Sequence, residues 1–180
     1  VSQRGTQLRI RARRGVVLAA GGFDKNMAMR AAETPLYPNG EYSGGVPSNT
    51  GDAIVAGQAA GAATMNLQSA WAAPVFYVPG EPGGRLSTME RALPGCIMVS
   101  QSGERFLNEA ASYHVTGQRM ARRQAVHHDA SPSWMVFDYR FRHLYPMGPL
   151  YPLIPDWAQP GAVKTIMKKA TTIGELAAQM

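Results

Sequence analysis

Two short glycine-bearing stretches hold groups that can meet a ligand. Gly21 and Gly22 close an apolar run, GVVLAAGGF at residues 15–23, and glycine lets a main chain approach a ligand closely and take a positive φ. Further along, Asn49, Thr50, Gly51 and Asp52 offer an amide, a hydroxyl and backbone N–H groups at the start of a helix. Phosphate and ribose oxygens are commonly held at such a start. Read alone, the first stretch serves equally well as a tight turn and the second as an ordinary helix cap. Arg105 has a natural carboxylate partner in the nearby Glu109, which favours a structural ion pair over a free cation. His114, His127, His128 and His143 lack metal-site spacing with acidic or cysteine partners, so no metal is expected.

The elements that must position these groups follow from the hydrophobic pattern. Residues 7–13 alternate polar and apolar, as a half-buried strand does, and residues 15–20 form a short apolar run that reads as a fully buried strand. Gly21 and Gly22 therefore stand where an open α/β sheet places its ligands, beyond the carboxyl end of a strand. Asp24 or Asn26 caps a short helix toward Ala32, and a loop rich in Pro, Gly, Tyr and Ser fills residues 35–47. Ser48, Asn49 or Thr50 can cap a second helix over residues 53–63, with Asp52 in its first turn and Gly57 and Gly61 on one face. Trp71, Pro74, Phe76, Tyr77, Pro79 and Pro82 then mark a crossover, and the domain boundary is placed there. Beyond it, residues 96–101 read as a strand, Ser102 and Gly103 as its turn, and residues 104–108 as the returning strand of a hairpin. A helix is expected over residues 113–124, a strand over 133–138, a helical turn over 138–144 and extended chain over 163–168. Thr172 and Glu175 make a capping box for a last helix.

Composition narrows the class. With 45% hydrophobic and 17% charged residues the chain has a globular balance, and it should pack. The net charge of +6 is spread along the chain rather than gathered on one face, which excludes a nucleic-acid partner and leaves a basic rim around an anionic cofactor as its use. The single cysteine, Cys96, excludes an internal disulfide and reads as a small buried residue in a strand. Residues 53–80 carry no charge, yet their Gln, Asn, Ser, Pro and Gly content argues against a membrane span. No secretory signal is visible at the start, and the cytoplasm is the expected setting.

The motifs taken in order resemble a known family. The strand ending AAGGF, then NTGDAI and a GQAAGA helix, is similar to the middle of the FAD-binding domain of flavoproteins related to fumarate reductase and succinate dehydrogenase. ERALPGCIMVS at residues 90–100 and GERFLNEAASYH at residues 103–114 resemble the 3-ketosteroid dehydrogenase branch, through Leu93-Pro94-Gly95 and Tyr113, and the resemblance runs on through PSWMVFD at residues 132–138. It implies an α/β fold in two incomplete parts. Residues 1–70 would be the later part of an FAD-binding domain of the Rossmann-like, glutathione-reductase type, and residues 71–180 a substrate-capping domain of α+β type.

In that family Ala20, Gly21, Gly22, Phe23, Asn49, Thr50, Gly51 and Asp52 would lie against FAD, and Tyr113 would take the C2 proton of a 3-ketosteroid while the flavin takes a hydride from C1. A phenol with an ordinary pKa of ~10 needs help to act as a base. The resemblance places a helping tyrosine earlier in the family's chains, and a tyrosine and glycine that polarise the C3 carbonyl later. These, and the dinucleotide-binding Gly-x-Gly-x-x-Gly, have no counterpart here, so the expectation is a fragment with little or no turnover alone. Trp71, Phe76 and Tyr77 could wall an apolar steroid pocket or pack a domain interface. The partner expected is a steroid or other apolar ketone, and the electron acceptor is left open. The rival readings are reduction of a small unsaturated acid, in which Arg105 would donate the proton as in fumarate reductases, and a non-catalytic flavoprotein piece.

Overall fold

The structure is a computed structural model, and it describes every residue except Val1, Arg4, Leu8, Pro38 and Asn39. The chain opens on a short antiparallel ladder in which β1 (Ser2–Gln3) faces β2 (Thr6–Gln7). The strand expected over residues 7–13 does not extend past Gln7 among the described residues, and Leu8 lies outside them. Nor do residues 15–20 form a strand. Val16 is 75% exposed and Val17 91%. A strand apolar on both faces is stable only between neighbours in a sheet, and no described strand pairs with this run.

Helix α1 (Met27–Glu33) starts where a cap was expected, at Asn26, whose side chain accepts the Met29 N–H at 3.0 Å. Helix α2 (Asp52–Ala59) differs in its details from the expectation. Its cap residue is Gly51, in the left-handed region at φ 83°, with no side-chain cap from Ser48, Asn49 or Thr50. Because α2 ends at Ala59, the two glycines do not share a helix face. Gly57 is buried, with Leu18 Cδ1 only 3.2 Å from where a Cβ would sit, whereas Gly61 turns the chain out of the helix at φ 84°.

The second half holds the core. After a two-residue hairpin of β3 (Val75–Phe76) and β4 (Arg85–Leu86) comes a 3-10 turn over Glu90–Ala92, then β5 (Cys96–Val99). The partner of β5 is β6 (Trp134–Phe137), antiparallel, in register from Cys96 with Phe137 to Val99 with Trp134. The expected returning strand at residues 104–108 shrinks to one bridge between Val99 and Arg105, because Ser100 N–H closes on Glu104 C=O at 2.9 Å and the chain then turns away. Between β5 and β6 lies α3 (Tyr113–His127). Helix α4 (Tyr139–Leu144) starts at Asp138, whose carboxylate accepts the Phe141 N–H at 2.7 Å.

Cys96, Phe141, Met147, Leu150 and Val163 form the buried cluster, and Phe137 and Tyr145 flank Phe141, each at 5.2 Å between ring centroids. Burying a side chain of this size stabilises by roughly 1.5–3 kcal/mol. Cys96 sits there as a buried strand residue, its thiol pushed up to about 12, first by burial and then by the Glu109 charge. Residues 163–168 are not extended as expected. Helix α5 (Gly161–Ile166) places Val163 in the cluster at 2% exposure, and that packing overrides the strand preference of Val, Thr and Ile. The helix ends at Ile166, and Met167 after it is extended. Helix α6 (Ile173–Ala177) carries both arms of the Thr172 and Glu175 capping box.

Candidate functional site

The two ligand-type stretches read from the sequence come together through main-chain bonds. Gly51 N–H donates to Gly22 C=O at 3.0 Å, and Lys25 N–H donates to Asn49 C=O at 3.0 Å. Asn26 joins them from its other end, since its Nδ2 donates to Thr50 C=O at 2.8 Å while its Oδ1 caps α1. The crossing favours glycine, with both Gly21 and Gly51 at a positive φ. A Cβ on Gly21, at φ 79°, would stand 2.4 Å from Asn49 Oδ1, and one on Gly51 would stand 2.5 Å from Met29 Sδ. Thr50 Oγ1 donates to Asp52 Oδ1 at 2.7 Å. Ala20, Gly21 and Gly22 face solvent and Phe23 is half-buried. The result is an exposed backbone shelf beside the N-terminus of α2, where main-chain N–H groups have no helical partner.

A third stretch, read only as a loop, braces this cradle. Ser43 Oγ donates to Asp24 Oδ2 at 2.5 Å, and Lys25 Nζ donates to Ser43 C=O at 2.8 Å. Burial alone would raise the Asp24 carboxyl, but the bonds from Ser43 and Asn49 outweigh it and hold it below its ordinary value. These hydrogen bonds of the brace had no pattern in the sequence to announce them.

Tyr113 is the first residue of α3. Ser112 caps the helix, its Oγ accepting the Val115 N–H at 3.3 Å. One turn in, Gly117 lies so close to the segment after Trp71 that an added Cβ would be 2.8 Å from the carbonyl carbon and the Cβ of Ala72. That approach brings Trp71 over the Tyr113 ring, stacked at 6.0 Å and 29°. Trp71 is 80% exposed, so the pair presents an aromatic face to solvent. The other two aromatic wall candidates are elsewhere: Phe76 packs on the core cluster and Tyr77 meets Tyr42 edge-on at 5.5 Å.

Arg105 is engaged with Glu109, as its neighbourhood in the sequence suggested. Nη2 to Oε2 is 2.6 Å and Nε to Oε1 is 3.0 Å, a two-point contact, and Glu109 also accepts the Met98 N–H at 2.8 Å. Burial pushes the Glu109 carboxyl up, yet these donors, Arg105 first, bring it below the usual carboxylate range. Among the described residues there is no group of three His, Cys, Asp or Glu side chains able to hold a metal ion. No described helix is long and apolar enough to cross a membrane.

Residues 1–145 match the protein family described as the FAD binding domain. Over 176 residues the chain is 38% identical to a 3-oxosteroid 1-dehydrogenase of Mycobacterium tuberculosis, covering 93% of this chain and 30% of that protein. It is 33% identical over 178 residues to a 4-oxocyclohex-2-ene-1-carboxylate 5-dehydrogenase of Sinomonas cyclohexanicum, covering 94% of this chain and 29% of that one. The crystal structure of 3-ketosteroid delta1-dehydrogenase from Sterolibacterium denitrificans, in complex with 1,4-androstadiene-3,17-dione, superimposes with a TM-score of 0.80 at 38% identity. That match covers 98% of this chain and 32% of the other. The chain thus spans about 30% of the length of the curated relatives it matches.

Proposed function

Because this chain belongs to the FAD binding domain family and shares its α/β fold and its cofactor, FAD, we propose that the whole protein dehydrogenates a 3-ketosteroid beside its carbonyl. Residues 1–70 are read as the later part of the FAD-binding domain and residues 71–180 as a substrate-capping domain, a division supported by buried hydrophobic residues that begin at Ala72 among the described residues. The cradle of Ala20, Gly21, Gly22, Phe23, Asn49, Thr50, Gly51 and Asp52 would hold FAD. Its exposed, side-chain-free shelf and the open N–H groups of α2 fit a flat ligand with phosphate and ribose oxygens. Bound there, FAD supplies the hydride acceptor. A cytoplasmic setting is part of this reading, supported by a lone buried cysteine that asks for no oxidising compartment.

Within this chain the chemical step belongs to Tyr113. The ketone acidifies the neighbouring C2–H, and Tyr113, in its phenolate form, takes that proton while the electron pair of the broken bond passes into the enolate of the C3 carbonyl. The observation that carries the reading is the placement of this phenol on a capped helix start with the Trp71 ring against it. An exposed aromatic face beside a fixed phenol suits a flat, apolar ketone better than a small diacid. The rival reduction of an unsaturated acid needs Arg105 free to donate a proton, and Arg105 is held by the buried Glu109.

Replacing Tyr113 by Phe in the full-length, FAD-loaded protein is expected to lower steroid-dependent reduction of a dye acceptor by about 10²–10⁴-fold, with flavin content unchanged. Undiminished turnover would remove Tyr113 from the mechanism, and dicarboxylate turnover in place of steroid turnover would reverse the substrate assignment.

A further inference from the structure

We propose that Arg91, resting on the reading of Tyr113 as the base, is the positioning residue that sets where that tyrosine stands. Arg91 lies in the 3-10 turn Glu90–Ala92 and is 2% exposed, one of the largest side chains so thoroughly buried in the described chain. A guanidinium removed from water must have its donors satisfied, or the fold is destabilised. Here the acceptors are main-chain carbonyls. Nε donates to Ser87 C=O at 3.3 Å, and Nη1 donates to Ala111 C=O at 2.7 Å and to Glu109 C=O. Among the described residues no carboxylate bonds to it directly, although the charges of Glu90 and Glu109 favour the cation against the pull of burial.

The carbonyls chosen are informative. Glu109 and Ala111 bracket the last step of chain before the cap residue Ser112 and Tyr113 itself. Glu109 is fixed from its side chain as well, by Met98 N–H and Arg105. Gly117 against Ala72 settles how near α3 lies to the Trp71 segment. Arg91 settles the direction from which the chain enters the helix. The first residue of a helix takes its place from the loop before it, so a loop released at residues 109–111 moves Tyr113 before it moves anything else on α3. Misplacing a reacting group by about 1 Å can cost on the order of 10²-fold in rate. The signal was in the sequence only as an arginine two residues before Leu93-Pro94-Gly95, where an exposed charge would be the ordinary expectation.

The test is steady-state kinetics of the full-length, FAD-loaded protein, with rates expressed per bound flavin and a 3-ketosteroid as substrate. Arg91→Met removes every donor. The expected result is kcat lowered by about 30–100-fold, with KM for the steroid within about 3-fold. Arg91→Lys keeps a charge and a donor that reaches one carbonyl, and kcat should recover to within about 10-fold of the wild type. A purely structural arginine would lose folded, flavin-loaded protein but leave kcat per flavin untouched, and that outcome overturns the proposal. So does a KM that rises as steeply as kcat falls. If Arg91→Met yields no folded protein, Arg91→Lys decides alone, a 3–10-fold kcat loss at constant KM supporting the proposal and wild-type kcat overturning it. Tyr113→Phe separates the two readings: normal turnover there sinks the base assignment, whereas a dead Tyr113→Phe beside a fully active Arg91→Met sinks only the positioning role.

Discussion

The two halves of the chain are organised by different forces. The buried apolar side chains lie between Ala72 and Val163, with Phe141 at 1% exposure and Val78 and Val163 at 2%. Before Ala72 no described hydrophobic residue is buried to that degree, and Val16, Val17 and Met65 stand in solvent. Yet the first half contains the sharper local geometry, because its cradle is drawn together by main-chain bonds at Gly22, Asn49 and Gly51 rather than by packing. A main-chain crossing of this kind needs glycines and carbonyl partners, not a core of its own. An aromatic face such as Trp71 on Tyr113 needs a core beneath it to keep a helix in place.

Substitutions can break or sharpen that contrast. The largest effect is expected in the second half: Phe141→Ala should cost about 3–5 kcal/mol in urea denaturation, through the cavity left among Cys96, Phe137 and Tyr145. Gly51→Ala comes next, at about 1–3 kcal/mol, because a Cβ there meets Met29 and Phe23 at a positive φ. It should strip flavin from the full-length protein while leaving hydrogen-exchange protection of β5 unchanged. Loss of protection in β5 would mean that the halves are mechanically one. The smallest effect is expected at Val17→Ser, within about 0.5 kcal/mol in this chain, since Val17 is 91% exposed. A cost near that of Phe141→Ala would show the apolar run to be packed in solution and erase the contrast.

What the sequence disclosed divides along the same line. Where a cap residue competes only with solvent, the pattern was legible, as at Asn26 for α1, Thr172 with Glu175 for α6, and the start of α3 at Tyr113. The Arg105 and Glu109 pair was legible because close spacing alone brings the two side chains together. The strand pattern of residues 15–20 misled because periodicity states what a segment prefers to pack against, and no neighbour strand is among the described elements. At α5 a local preference for extended chain lost to one buried contact of Val163. Arg91 was illegible for a stronger reason, since nothing in residue type distinguishes a charge buried on carbonyls from one in water. The grouping of Gly21 and Gly22 with Asn49 and Gly51 was foreseen from resemblance, while the brace from Ser43 to Asp24 was visible only in three dimensions.

Asn26 carries one consequence beyond architecture. Its side chain is divided between two tasks, Oδ1 starting α1 and Nδ2 holding the Thr50 carbonyl. Helix formation and cradle closure are therefore coupled equilibria through a single amide, and coupling of this kind is reciprocal. Whatever steadies the residue 49–52 turn slows the fraying of α1, a helix with no buried residue of its own. Amide exchange at Met29 should then report occupancy of a cradle in which Met29 N–H takes no part.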